Sequence, residues 1–572
     1  MKVSRLVAFS IPSLLAGLSL VAFRRQILAR VLNLTPVEYQ IGVEHDLPVR
    51  MPDGVTLYAD HYFPRAPGRF PTLLIRTPYG RGREALPQGL VSWFVARRFA
   101  ERGYQVIVQT TRGRYDSEGE FEPFVHEAAD GRATLDWVSK QEWFDGNLGT
   151  WGYSYLGYTQ WALGYDAPPY LKAMVPSITT SRFSSIVDPV FAFNNILRWT
   201  WGLHLRGLRG KYSLRDWLVH KFSADENKMV NRGFAHLPIA GTDKAALGQP
   251  IPFYQKWLAH PDANDDYWRA IDHRRDLERV QAPVHLVSGW HDILLRELLE
   301  DYETLSANGK PPFLTIGPWQ HTDRGVMLAA LREGILWHDA HLRHKPLRLR
   351  KAPVRLFVLG ANEWREYEAF PPPATERAYH AGAQHSLTAQ PPPPDSPPDG
   401  YIFDPAKPTP ALGGLMFGPL GGVHDQRSLQ SRHDVLTYST APLAEDVEVI
   451  GAPRVTCFAR SSTPYTDFFV RVCDAAPDGR AINVSDGMVR VRGRELGEWR
   501  LDIKLLSMAF RFRRGHRIQL MIASGQHPRW DRNLGTGESW HSNAGGVLQH
   551  QTIYHDEGRA TVLTLPVITQ VS

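Results

Sequence analysis

A chain of 572 residues is too long for one hydrophobic core, so two to four domains are expected. Its 43% hydrophobic and 22% charged residues place it among ordinary globular proteins. The formal charge of +6 comes from scattered Lys and Arg, with no basic run alternating with aromatics. That pattern argues against nucleic-acid binding and favours solubility or contact with an anionic membrane surface.

The first element is apolar. Leu6 to Phe23 is nearly continuous hydrocarbon, preceded by Lys2 and Arg5 and followed by Arg24, Arg25 and Arg30. Its length is at the lower limit for spanning a bilayer, and no convincing small-residue cleavage site follows it. Residues 1–35 are therefore read as an uncleaved signal-anchor, and membrane association through residues 6–23 is expected. The protein would be anchored or exported to the cell envelope. Because both flanks are basic, they leave a cytoplasmic-facing orientation open.

Val49 to Tyr58 reads as two strands joined by an Asp53-Gly54 turn. Strands and helices then alternate: strand Pro71–Arg76, helix Val91–Arg102, strand Gln105–Gln109, helix Asp130–Lys140, a short strand Leu148–Trp151, a helix starting at Thr159, and strand Leu171–Val175. Such alternation predicts a parallel sheet covered by helices on both faces. From Thr180 to Arg279 the pattern becomes helical and rich in Trp, Phe and His, as in Phe191–Leu208. Strands resume at Ala282–Val287 and Pro312–Ile316, so the helical stretch reads as a cap inserted in one sheet domain. After Lys351, short apolar runs alternate with Pro- and Gly-rich turns, the texture of a β-sandwich or jelly roll. The expected domains are 36–183 with 278–350 for the parallel-sheet domain, 184–277 for the helical cap, and 351–572 for the all-β domain. Cys457 and Cys473 are the two cysteines, read as reduced core residues, although a hairpin near Pro464-Tyr465 would allow them to meet. Neither lies in a zinc-binding spacing, so no metal or other cofactor is expected.

The run Trp151-Gly152-Tyr153-Ser154-Tyr155-Leu156-Gly157 places a serine between glycines just after a strand. That is how α/β hydrolases present a nucleophile on a sharp turn, except that Leu156 stands where the second glycine of the common pattern falls and Gly157 follows it. Asp292 follows the Val284 strand and His321 follows the Leu314 strand. In open α/β sheets the carboxyl ends of strands are where ligands bind, and Ser, Asp, His is the chain order of this fold. A serine hydroxyl needs an imidazole to take its proton, and the imidazole needs a carboxylate to hold its tautomer. The oxyanion formed on attack needs preorganised donors, for which the Tyr155 backbone N–H and the Tyr79 hydroxyl are the candidates. Each residue alone has a plainer reading: His321 as packing, Asp292 as a helix cap, Tyr79 as turn chemistry. Together, in order and at strand ends, they point to a serine hydrolase.

These motifs resemble the cocaine-esterase and X-prolyl dipeptidyl-peptidase family of serine hydrolases. The resemblance runs from about Pro48 to Thr569. It rests on Arg76-Thr77-Pro78-Tyr79-Gly80, on Thr111-Arg112-Gly113 with Ser117-Glu118-Gly119, on Asp145-Gly146-Asn147 leading into the Ser154 turn, on Gly289-Trp290-His291-Asp292, and on Gly317-Pro318-Trp319-Gln320-His321. Gly360 to Arg365 and Asp474 to Gly479 are similar to its C-terminal domain. The resemblance implies an α/β-hydrolase domain, a helical cap and a jelly roll meeting at the active site. It implies Ser154 as nucleophile, His321 as base, Asp292 as its partner, and Tyr79 with the Tyr155 amide as oxyanion hole. The substrate would be a small ester or amide, cleaved through an acyl-enzyme. The alternatives are an X-prolyl dipeptidyl aminopeptidase and, in another class, a non-catalytic binding protein on a hydrolase scaffold. Relatives acting on α-amino acid esters place carboxylates just after the triad aspartate, whereas here Ile293-Leu294-Leu295 follow. The expectation is therefore a preference for neutral, apolar acyl groups, with Glu297 and Asp188 as the carboxylates able to reach the site from elsewhere.

Overall fold

The computed structural model describes residues 24–82, 85, 89–207, 225–345, 349–539 and 541–568. The apolar stretch Leu6–Phe23 lies outside them. Among the described residues, no helix is long and apolar enough to cross a membrane.

Ten strands form the first sheet: β1 (Ile41–Arg50), β2 (Thr56–Pro64), β3 (Phe70–Thr77), β4 (Gln105–Thr110), β5 (Phe144–Tyr153), β6 (Leu171–Ser177), β7 (His285–His291), β8 (Phe313–Gln320), β9 (Val354–Val358) and β10 (Glu363–Tyr367). Their spatial order is β1-β2-β4-β3-β5-β6-β7-β8-β9-β10. The run from β4 through β9 is parallel, while β1-β2, β2-β4 and β9-β10 are antiparallel. Buried apolar runs such as Leu73-Leu74-Ile75 and Val106-Ile107-Val108 read as central strands because helices cover both faces. The helices are α1 (24–31), α2 (Gly89–Ala100), α3 (Glu127–Ser139), α4 (Tyr155–Gly164), Leu295–Ala307 and Arg324–Leu342.

Two features depart from the sequence-based expectation. The strands β9 and β10 extend the catalytic sheet, so it runs past the boundary expected at residue 351. A short alternating strand carries no mark of which sheet it will join. The helix after the Ser154 turn begins at Tyr155, not Thr159, because the turn leads directly into it.

The cap rises between β6 and β7 as short helices, among them α5 (Phe193–Gly207), Asp225–Ala235 and Pro252–Ala259. The remainder is all-β, built on one core that includes Val449, Phe468, Val470, Leu520 and Leu563. Both cysteines are free and buried in this domain, and burial pushes each thiol up to about 12. Their strands, Arg454–Ser461 and Thr466–Ala475, do not pair as a hairpin: the first pairs with Trp499–Lys504 and the second with Ala481–Val491.

Candidate active site

Ser154 sits between β5 and α4 with φ 56° and ψ −125°. This left-handed backbone is costly for a non-glycine residue and persists only where the surroundings enforce it. Four hydrogen bonds do so here. The Ser154 N–H donates to the Ser177 carbonyl at 2.9 Å. Thr179 Oγ1 donates to the Ser154 carbonyl at 2.8 Å. The Tyr155 hydroxyl donates to Glu127 at 2.8 Å and accepts from the Phe124 N–H at 2.9 Å. Both flanking glycines are required by close approach. A Cβ on Gly152 would lie 2.5 Å from the Leu156 carbonyl oxygen, and one on Gly157 would lie 2.6 Å from Thr179. Leu156, at the second glycine position of the common pattern, is buried, and the close approach that demands a glycine falls one residue later, at Gly157 against Thr179.

The parallel pairing of β7 with β8 sets Asp292 and His321 side by side, since His291 and Gln320 are register partners. His321 Nδ1 is 2.7 Å from Asp292 Oδ2, and His321 Nε2 is 2.9 Å from Ser154 Oγ. Asp292 is fully buried, and its other oxygen accepts from the Leu294 N–H at 2.8 Å. The helix that follows begins at Leu295 with Leu294 at its N-cap, so Asp292 does not serve as the helix cap. It instead closes a local turn and faces the imidazole.

Tyr79 follows β3 in a loop held by the Thr111–Gly119 segment: Arg114 Nε donates to the Pro78 carbonyl at 3.0 Å and the Tyr115 hydroxyl to the Tyr79 carbonyl at 3.2 Å. The Tyr79 ring meets the Tyr155 ring edge-on at 6.4 Å. All five residues named from the sequence therefore converge on one end of the sheet.

The serine opens into a small cavity of about 100 Å³. Its wall is aromatic and aliphatic: Phe124, Tyr155 and Tyr158 from the sheet domain, Phe183, Ile196 and Trp199 from the cap, Ile293 and Leu294 beyond Asp292, and Phe417 from the all-β domain. The Phe417 ring stands edge-on to His321 at 5.3 Å. Asn195 on α5 accepts from the Phe417 N–H at 2.9 Å and so ties the cap to that domain. Sequence reasoning passed over Trp199 and Phe417, since nothing in the pattern distinguishes them from other apolar residues nearby. One carboxylate also lines the cavity. Glu297 is 8% exposed, and burial raises its pKa against the pull of Arg296. Asp188 lies elsewhere, paired with Arg182 at 2.6 Å in a separate cleft of about 810 Å³ between the cap and the all-β domain.

Residues 53–323 match the X-Pro dipeptidyl-peptidase (S15) family, and residues 349–564 match the X-Pro dipeptidyl-peptidase C-terminal non-catalytic domain. The chain is 33% identical to cocaine esterase from Rhodococcus sp. over 90% of its own length and 95% of that esterase. An aminopeptidase from a marine sediment Thaumarchaeota archaeon shares the fold with a TM-score of 0.77 at 22% identity, over 93% of this chain and 97% of that one. An α-amino acid ester hydrolase does so with a TM-score of 0.77 at 23% identity, over the same shares of the two chains. The protein is thus a serine hydrolase with an α/β-hydrolase catalytic domain and a C-terminal all-β domain. Within that class, the chain belongs to the cocaine-esterase and X-prolyl dipeptidyl-peptidase family.

Proposed function

We propose that the enzyme hydrolyses esters of neutral, apolar acyl groups, with Ser154 as the nucleophile. The observation that carries this reading is the Ser154–His321–Asp292 relay, joined at 2.9 and 2.7 Å, at the floor of an apolar cavity. In the proposed reaction, Ser154 Oγ attacks the carbonyl carbon while its proton passes to His321 Nε2. Asp292 holds the proton on Nδ1 and stabilises the imidazolium. The negative charge on the former carbonyl oxygen is met by the Tyr155 N–H and the Tyr79 O–H. Collapse expels the alcohol, which takes the proton from His321. Water then attacks the acyl-serine with His321 again as base, releasing the carboxylic acid and restoring Ser154.

A second reading, hydrolysis of substrates with a free amine such as X-prolyl peptides, draws on Glu297, a carboxylate in the cavity wall able to meet an ammonium group. Two measurements separate the readings. Labelling by a fluorophosphonate probe tests for a reactive serine, and a non-catalytic protein stays unlabelled. Turnover of p-nitrophenyl acyl esters beside Gly-Pro and Ala-Pro anilides then tests the substrate, with the esters expected to be faster. We further propose that Leu6–Phe23 tethers the enzyme to a membrane. Loss of membrane sedimentation on deletion of residues 1–23 is the expected result.

A further inference from the structure

The cap places one side chain within reach of the proposed oxyanion site. Trp199, on α5, donates its indole N–H to the Tyr79 hydroxyl oxygen at 3.0 Å. Indole nitrogen is a donor without acceptor capacity, whereas a phenol oxygen carries one proton and two lone pairs. The direction of this bond is therefore settled by chemistry: Tyr79 accepts. With one lone pair occupied by the indole, the phenol proton points away from Trp199.

The indole itself is held firmly. It lies nearly parallel to Trp257 at 5.8 Å and 11°, to Phe124 at 5.9 Å and 15°, and to Tyr155 at 6.3 Å and 18°. Trp257 is anchored in turn by its own N–H, 3.0 Å from the Tyr267 hydroxyl. Aromatic contacts of this kind restrict tilt and slide of the ring, so the N–H stays aimed at one point. Tyr155, whose backbone amide is the other proposed oxyanion donor, packs against both Trp199 and Tyr79.

We propose that Trp199 is a positioning residue for the oxyanion hole, directing the Tyr79 hydroxyl proton toward the developing negative charge. This rests on the reading of Tyr79 as an oxyanion donor. Through this bond Trp199 acts on Tyr79 and not on the reacting atoms, so the contribution of its N–H is felt in the transition state. It also makes the cap part of the catalytic apparatus, since α5 carries the residue.

The test is a double-mutant cycle on the full-length enzyme with one p-nitrophenyl ester. Trp199→Phe keeps an aromatic ring in the stack and removes the N–H. A second variant carrying β-(3-benzothienyl)alanine at position 199 keeps the bicyclic shape and lacks only the donor. Both are expected to lower kcat by about three- to tenfold, the scale of one oriented hydrogen bond, with KM within about twofold of the parent. In a Tyr79→Phe background the same changes at 199 are expected to have no further effect on kcat. Unchanged kcat in the benzothienyl variant overturns the proposal, as does an equal loss with and without the Tyr79 hydroxyl, or a loss confined to KM. If Tyr79→Phe alone leaves kcat unchanged, the oxyanion reading itself fails. If Tyr79→Phe is slow but the variants at 199 are not, only the positioning role fails.

Discussion

At the scale of single residues, the proposed chemistry rests on three side chains in line and two donors beside them. Ser154→Ala removes one atom at a turn whose backbone is held by Ser177 and Thr179, so the fold is expected to survive while turnover and fluorophosphonate labelling disappear. Comparing the thermal melt with the rate separates the two effects. Tyr79→Phe is expected to lower kcat by roughly 10²–10³ with little change in KM, the effect of losing one oxyanion donor. Steady-state kinetics on one ester check this. The cavity wall gives a third expectation. Ile293 and Leu294 offer no counter-charge to an ammonium, and burial raises the pKa of Glu297 toward its neutral form. A phenylacetyl ester should therefore show a higher kcat/KM than the phenylglycyl ester of the same alcohol. The reverse order would mean that Glu297 is charged and binds the amine.

At the scale of elements, the strand–turn–helix around Ser154 is the part most exposed to small changes. Gly157 on α4 faces Thr179, and the Thr179 hydroxyl holds the Ser154 carbonyl. Gly157→Ala forces the added methyl group into Thr179, so it should destabilise by about 1–3 kcal/mol, the usual cost of overpacking, and also disturb the nucleophile. A melt and a kcat measurement on the same variant would show both losses together. The same element shows why the site was legible in the sequence. A buried strand, a serine between glycines, and an acid and a histidine each just beyond a strand are local patterns, and the parallel sheet brings strand ends to one edge. Trp199 and Phe417 were not legible in that way. Trp199 shares its helix with Trp201, and spacing alone does not decide which indole faces the cavity. Phe417 lies in a glycine-rich loop far along the chain and reaches His321 only through domain packing. Likewise, the alternation of β9 showed a strand but not its neighbour, and its pairing with β8 depends on the whole sheet.

At the scale of the whole molecule, buried histidines govern the response to acid. Burial holds His273, His291 and His338 near pKa 4 and His527 near 3, against an ordinary value of 6.5. In the unfolded chain these groups take up protons at higher pH than in the folded one. Their contribution to stability is therefore full above about pH 6.5 and is lost as pH falls toward the folded values. Asp301 acts in the opposite sense. Burial lifts its carboxyl to about 7 from 3.8, so its contribution is full below about pH 4 and lost as pH rises through 7. The four histidine shifts are together larger than that of Asp301, and the melting temperature is expected to fall between pH 6.5 and pH 4. A thermal-melt series across that range checks it; a flat or rising profile toward acid would contradict the burial argument.

The loop that presents Phe417 is pinned to the all-β domain by Arg471, which is buried and donates to the carbonyls of Leu412 at 2.6 Å and Gly413 at 3.1 Å. Arg471 is itself bound to Asp486 at 3.0 Å. The ring beside the imidazole thus depends on a strand that leaves the ribosome long after Ser154, Asp292 and His321. During synthesis the three side chains of the proposed relay are all made before the loop that carries Phe417. Until the last domain closes, the apolar wall supplied by the sheet domain and the cap stands without Phe417 beside His321. The complete cavity is in this sense a property of the finished protein, acquired at the end of its biogenesis.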